Sequence, residues 1–369
     1  MKKTKKYLSK KVKKVKRRSR RRRRYRGGAK PSVISFNILN PEFVVTKITF
    51  GNLIDNIIAS GDNRAAILTQ IIGPDGKDKP KLSDIIGIAD QQRYLEWREG
   101  RILSFLNENA SSIFFLQELS RPTLDKITSH TVIANTESDI LKIPKVWKGN
   151  FQGYNDFSRQ EFRAILLPKG IQPIEQKDLD LMKGVEAQQE KIVRKNGVHV
   201  KVSLDGVIVN LINVHLYYEF DQAFIQEKLT AVLGSLGSEP VLIGGDMNKS
   251  LTELDFLIES GFSTNQDETP TFINTGGKIP ISPDHILAKQ LAGTLTVIED
   301  YGGQILYDEQ ILSEELLQLC LSKIDIIKTF DSRKPPSAEI SELINQIAGM
   351  LPKDKYISDH KPIKFEFTE

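Results

Sequence analysis

The sequence predicts an α/β layered sandwich, and three observations carry that expectation. Short apolar runs of strand character alternate with stretches of helical spacing along residues 32–367. Several runs follow one another as hairpins; the plainest turn signal is Asp205-Gly206, between apolar runs at 198–204 and 207–215. No internal repeat is present. Strands and helices mixed with hairpins argue for a layered sandwich over a doubly wound sheet.

Taken in order, residues 32–38 (SVISFNI) read as a short apolar strand. Residues 91–107 have helical spacing, with Tyr94, Leu95, Ile102 and Phe105 as buried positions. Strands follow at 113–116 and 164–167, then the hairpin. Further strands at 241–243, 284–287 and 363–367 close the series. Two stretches read as insertions or lids. One is 41–90, with its GPDGKDKPK segment; the other is 298–355, partly helical and holding Pro335-Pro336.

Composition bounds the rest. The 369 residues are 39% hydrophobic, enough for a large core in a single α/β fold. The single cysteine, Cys320, excludes an intrachain disulfide and a cysteine zinc site, and suits a reducing, intracellular compartment. No run approaches the roughly 20 apolar residues of a membrane span, and no apolar segment follows the N-terminal charges as in a secretion signal. A monomer is expected.

The net charge of +5 conceals a division. Residues 1–26 hold 17 Lys or Arg and no acid, leaving 35 basic against 47 acidic residues in the remainder. The arm, residues 1–28, should be disordered in isolation because its charges repel and little apolar surface collapses it. Arg20, Arg21, Arg22, Arg23 and Arg24 are its densest run. Such a run releases counterions along a phosphate backbone, so it should bind RNA or DNA without sequence preference. It would equally serve as a nuclear or nucleolar address, or hold the chain at an anionic membrane. The body, 29–369, is acidic and carries the chemistry.

That chemistry is read from polar residues at the ends of apolar strands, where fixed side chains converge. The segments are SFNIL with Asn37, FFLQEL with Gln117 and Glu118, NVHL with Asn213 and His215, LIGGDMN with Asp246 and Asn248, SPDHILA with Asp284, and ISDHKPI with Asp359 and His360. Any one of them has a plain structural explanation as a turn, a cap or a buried histidine. In this order, from Ser32 to Phe367, they resemble the endonuclease/exonuclease/phosphatase superfamily, with GDxN and SDH as its most specific marks.

The resemblance implies a four-layer, DNase I-like α/β sandwich: two packed mixed β-sheets flanked by helices, with the strand ends meeting at one rim. It implies a hydrolase of phosphoric esters that needs Mg²⁺, or Mn²⁺ in its place. Glu118 matches the principal metal ligand, with Asn37 beside it and Asp359 in contact directly or through water. Asp246 matches the carboxylate that orients the attacking water, and Asn248 a phosphate contact. His360 matches the imidazole that stabilises the transition state, Asp284 its orienting acid, and His215 a donor to phosphate or leaving group. Carboxylate oxygens suit hard cations, and phosphoryl transfer needs such a cation, an oriented water and donors for developing charge.

Other residues receive structural readings. His285 follows Asp284 on a strand and so faces the other side. Lys249 reads as solvated. His130 and His199 sit in no motif. One departure is EFRAILLPKG, which has Phe162 and Arg163 where relatives are small, touching the substrate rim and leaving the metal site alone.

Three functions stay open on the sequence. The first is a nuclease, since the Trp-Arg helix before LQE and Asn37-Ile38-Leu39 resemble the deadenylase-like branch. The second is a phosphatase for a lipid or small phosphate, suggested by SDHKPI, although the Tyr-Arg after GDxN and the Cys-Asp-Arg element of phosphoinositide phosphatases are absent. The third is a catalytically silent nucleic-acid-binding protein.

Overall fold

A computed structural model describes residues 31–38, 47–135, 139–140, 160–181, 197–218, 220–264, 270–272, 281–299, 301, 311–351, 358 and 360–368. The basic arm with Arg20–Arg24, and Asp359, lie outside the described residues, as do the side chains of Tyr94 and Leu95.

Two mixed sheets form the centre. The first runs β11 (Gly293–Val297), β12 (Ile363–Phe367), β1 (Val33–Asn37), β2 (Ile113–Leu119), β5 (Gln160–Pro168) and β3 (His130–Ala134), with β4 (Asp139–Ile140) also on β5. Here β1 and β2 are parallel, Asn37 standing opposite Gln117. The second runs β10 (Asp284–Lys289), β9 (Val241–Asp246), β8 (Val207–His215), β7 (Gly197–Leu204) and β6 (Pro173–Leu179), with β8 and β9 parallel. The β7–β8 hairpin turns at Asp205 and Gly206, both at positive φ, as a two-residue hairpin loop requires.

Period-two alternation gives each strand an inner and an outer face. Inner residues Val33, Phe115, Ile165, Leu211, Leu242, Ile286 and Phe365 form one apolar layer between the sheets. Outer residues of the first sheet, Ile34, Phe36, Phe114 and Leu166, pack under Ile102, Phe105 and Leu106 of α3 (Lys79–Glu108) and Leu124 of α4 (Arg121–Lys126). Outer residues of the second, Ile212, Val214 and Ile243, pack under α5 (Gln222–Gly234) and α6 (Asp255–Glu259). The result is the expected four-layer sandwich.

Strands at the middle of the sheets coincide with the apolar runs of the sequence. Of the four edge strands, buried β10 coincides with an apolar run, whereas β3, β6 and β11 do not. β6 is mostly exposed and β11 alternates half-exposed with exposed residues, so neither carries an apolar run.

The described parts of the two stretches that read as insertions or lids are helical and pack together. Residues 47–90 form α1 (Lys47–Ser60), α2 (Asn63–Ile72) and the first half of α3; residues 311–351 add α7 (Glu314–Ser322), α8 (Ile324–Thr329) and α9 (Ala338–Met350). Their apolar stripes close on one another, with Phe50, Ile54, Leu68, Leu82, Ile86, Leu316, Cys320 and Ile344 in a shared core. Amphipathic helices must bury that stripe, and here each inserted segment is the partner of the other. Caps mark the boundaries: Asp62 accepts from Arg64 N at 2.8 Å and Ala65 N at 3.3 Å, and Ser337 accepts from Ile340 N at 3.3 Å. Helix α3, 30 residues and therefore about 45 Å long, serves both cores. No described helix is long and apolar enough to cross a membrane.

Burial pushes the Cys320 thiol up to about 12. At pH 8 a thiol reagent should leave the native protein unlabelled, and labelling in denaturant should track loss of helical circular dichroism. Ile344→Ala should cost about 2–4 kcal/mol of stability in a urea titration; rapid labelling without denaturant would contradict the closed core.

Candidate active site

Along the inner faces of β1, β2, β8, β9 and β10, apolar residues give way to polar ones at the same end. Val33 and Ser35 lead to Asn37, Ile113 and Phe115 to Gln117, Leu211 to Asn213 and His215, Leu242 and Gly244 to Asp246, and Ile286 back to Asp284. Alternation alone therefore delivers four of the expected site residues, Asn37, His215, Asp246 and Asp284, to one cleft between the sheets.

Glu118 arrives differently. In a regular strand it would face away from Gln117. The β2–β5 register shifts between Leu116 and Leu119, and Glu118 has φ +56°. This bulge re-aims the carboxylate into the cleft, where Oε1 accepts from Asn37 Nδ2 at 3.1 Å. Left-handed backbone at a non-glycine residue costs free energy and is held by its surroundings.

The glycines of LIGGDMN also have work to do. A Cβ on Gly244 would meet Phe115 Cδ2 and His285 O at 3.0 Å, so glycine lets the second sheet close on the first. Gly245 has φ +137°, and a Cβ there would fall 1.9 Å from Val214 O. Asn248, at φ +50°, donates its backbone N–H to Asp246 Oδ1 at 2.9 Å and its amide to Leu216 O at 2.7 Å. One amide hydrogen of Asn248 is thus committed to the fold through Leu216 O.

Asp246 is the centre of the group. Its Oδ2 accepts from Asn37 Nδ2 at 2.9 Å, with His215 Nε2 at 3.4 Å and His360 Nε2 at 3.8 Å. His215 Nε2 also lies 3.7 Å from Glu118 Oε1. His360 Nδ1 donates to Asp284 Oδ2 at 2.8 Å, which leaves Nε2 facing Asn37 and Asp246. Burial opposes the charge on Asp246, but the His215 hydrogen bond, the fields of His360 and His215 and the Asn37 amide outweigh it and hold the carboxyl below its ordinary range. Asp284 goes the other way: burial raises it, and the field and hydrogen bond of His360 only partly offset this.

Several supporting residues carried no signal strong enough to assign. Thr271, fully buried, donates to Asp284 Oδ2 at 2.8 Å. Ser358 donates to Asn37 O at 2.6 Å and accepts from His360 N at 3.1 Å, tying the SDH segment to β1. The Phe272 ring lies 4.7 Å from the His360 ring. Gln117 Nε2 donates to Asn213 Oδ1 at 2.7 Å.

Some structural readings hold and others change. His285 faces outward from the cleft and its Nε2 meets Lys249 O at 2.7 Å. His130 meets Ser112 O at 3.2 Å and His199 meets Asn210 Oδ1 at 2.9 Å. Lys249 is not solvated: its side chain is 11% exposed, donates to Tyr218 O at 3.1 Å and pairs with Glu253 at 3.5 Å. Arg163 does not stand at a rim but is buried on the inner face of β5, its N–H donating to Asn135 Oδ1 at 2.7 Å. Phe162 faces outward beneath Arg121.

Two sets of side chains bring ligand atoms within 4.8 Å of one another: Glu118, His215 and Asp246, and Asp246, Asp284 and His360. Carboxylates joined at the Asn37 amide make an oxygen-rich donor set that fits Mg²⁺ or Mn²⁺.

The sequence matches no protein-family model. It also matches no curated protein. Solved structures share the fold. An endonuclease/exonuclease/phosphatase family protein from Bacteroides thetaiotaomicron superposes with a TM-score of 0.52 at 14% identity, over 92% of this chain and 97% of that one. A mannosyl-6-phosphatase from the same organism gives 0.50 at 14% identity, over 92% and 100%. D. rerio TDP2 complexed with a single-strand DNA product gives 0.49 at 13% identity, over 93% and 100%.

His130, His199 and His285 are each held below the ordinary imidazole value, burial being the largest cause. Below a pH of about 6.5 the unfolded chain binds protons that the folded chain refuses. Their stabilising contribution is therefore complete above that pH and is lost as pH falls through the lowered folded values. The melting temperature should drop between pH 7.5 and 5.5, less steeply in His285→Gln, and a flat profile would contradict neutral burial.

Proposed function

On this endonuclease/exonuclease/phosphatase fold, we propose a divalent-metal-dependent phosphoesterase of that superfamily, a nuclease that hydrolyses phosphodiesters of RNA or DNA. The observation that carries the reading is the Asp246 carboxylate, buried yet held ionised among Asn37, His215 and His360, with Glu118 beside it.

Glu118, with Asn37 beside it, would hold the cation, and Asp359, which precedes His360 in the sequence, would contact it directly or through water. When bound, the cation neutralises phosphoryl charge and polarises the phosphorus centre. Asp246, charged at neutral pH, accepts a hydrogen bond from water and aligns it for in-line attack. Asp284 fixes the His360 tautomer, so that Nε2 presents to a phosphoryl oxygen whose charge grows in the transition state. His215 and the Asn248 amide donate to other phosphate oxygens. Arg20–Arg24 and the rest of the basic arm would hold the polyanion near an acidic body that otherwise repels it.

A phosphomonoesterase is the second reading, favoured by the mannosyl-6-phosphatase of the same fold. The same metal and histidine groups serve it, and the arm then answers to an anionic membrane.

Glu118→Gln should lower Mg²⁺-dependent hydrolysis of labelled single-stranded RNA or DNA by roughly 10²–10³-fold or more, with an unchanged circular dichroism spectrum; retained turnover would sink the assignment. Phosphate release from a sugar phosphate or phosphoinositide alone would select the second reading. Asp284→Asn should reduce kcat by roughly 10²–10⁴-fold with KM nearly constant; a change confined to KM would remove its orienting role. Deleting residues 1–26 should weaken strand binding and flatten its salt dependence, and an unaltered salt slope would detach the arm from the substrate.

A further inference from the structure

Immediately beyond His215 the chain reads Leu216-Tyr217-Tyr218, with Phe220 and Phe224 following. The rings lie in series: Tyr217 to Tyr218 at 4.8 Å, Tyr217 to Phe220 at 5.4 Å and Phe220 to Phe224 at 4.7 Å between centroids. Tyr218 is 61% exposed, the most exposed large hydrophobic side chain among the described residues. The run is not loose. Leu216 N donates to Asp246 O at 2.9 Å, Leu216 O accepts from Asn248 at 2.7 Å, and Tyr218 O accepts from Lys249 Nζ at 3.1 Å. Three bonds therefore stitch residues 216–218 to residues 246–249. An exposed aromatic ring is held on a fixed segment at the mouth of the cleft, three residues from His215.

Resting on the nuclease reading, we infer that Tyr218, buttressed by the half-buried rings of Tyr217, Phe220 and Phe224, is a base-stacking platform for the single strand whose scissile phosphate sits at Asp246 and His360. Single-stranded nucleic acids bind through aromatic faces on which bases stack, because every base has a π-face whatever its sequence. The charges around the run favour bases over phosphates. Asp221 is exposed and caps α5, Lys228 is paired with Glu227, and Lys249 with Glu253. Among the described residues, no net positive surface is offered there to an anionic bilayer or to the sugar–phosphate backbone. The platform thus divides the labour with the arm: basic residues hold phosphates, and the Tyr218 ring holds bases.

The test measures binding of the full chain in chelator, which prevents turnover. Three fluorescent strands of equal length are compared: single-stranded RNA, single-stranded DNA and an abasic strand with the same phosphates. Tyr218→Ala should weaken RNA or DNA binding by roughly tenfold, Tyr218→Phe should restore it, and the abasic strand should be insensitive to both changes. Equal losses on the abasic strand, or no loss on any strand, would overturn the platform. Loss of affinity for phosphatidylserine vesicles with strand binding intact would also overturn it and assign the ring to a membrane. Glu118-dependent strand cleavage by the wild-type protein keeps the two questions separate. If it persists while Tyr218→Ala binds normally, the platform fails alone; if no strand is bound or cut, the nuclease reading fails and takes the platform with it.

Discussion

Everything at the cleft depends on the distance and register between the two sheets, and the Asn213 side chain holds both. It rises from β8 in one sheet and donates to Leu116 O and Ala164 O of the other, each at 2.9 Å. Those two carbonyls belong to residues paired across β2 and β5, so one amide spans a complete rung of the opposite sheet. Its oxygen accepts from Gln117 at 2.7 Å. Apolar packing between sheets is non-directional and would tolerate sliding; a buried amide with satisfied donors does not. Asn37 and Glu118 come from one sheet, and His215, Asp246 and Asp284 from the other. A slip of the sheets would separate the carboxylates that the site brings together.

The site also spends conformational energy locally. Glu118 and Asn248 take left-handed backbone, and Gly245 a conformation closed to other residues by the Val214 carbonyl. All three lie within the first layers of the cleft. The bulge turns Glu118 inward where regular geometry would turn it outward, and Asn248 closes the turn after β9 by donating its N–H to Asp246. The cohesion of the inter-sheet layer, with Phe115 packed against Gly244, is what holds these departures in place.

The helical unit built from residues 47–90 and 311–351 shares α3 with the sandwich, so its apolar core and the outer layer of the first sheet are mechanically joined. The Asp62, Ser313 and Ser337 caps place its helix starts, and the buried face of α9 falls at Ile340, Leu343, Ile344 and Ile347, the spacing of one helical stripe. Two segments more than 200 residues apart in the chain complete each other there, which is why each alone reads as an addition to the fold.

The family resemblance implied the four-layer arrangement and the roles of the site residues. The sequence by itself determined the central strands, the Asp205-Gly206 turn, the α/β layered class and the polar residues that close the strands. These follow from local chemistry: two-sided burial writes itself as apolar runs, and the polar residue closing each run is read from its neighbours in the chain. The tertiary structure alone decided the rest. It made Lys249 a half-buried tie, put Arg163 inside, brought Thr271 and Ser358 to the histidine and Asn37, and joined two stretches that read as insertions or lids into one core. The edge strands β3, β6 and β11 escaped because their one-sided burial leaves no long apolar run, and Glu118 reaches the cleft only through a bulge that depends on pairing with β5. Contacts between residues distant in sequence have no period, and only the folded chain can show them.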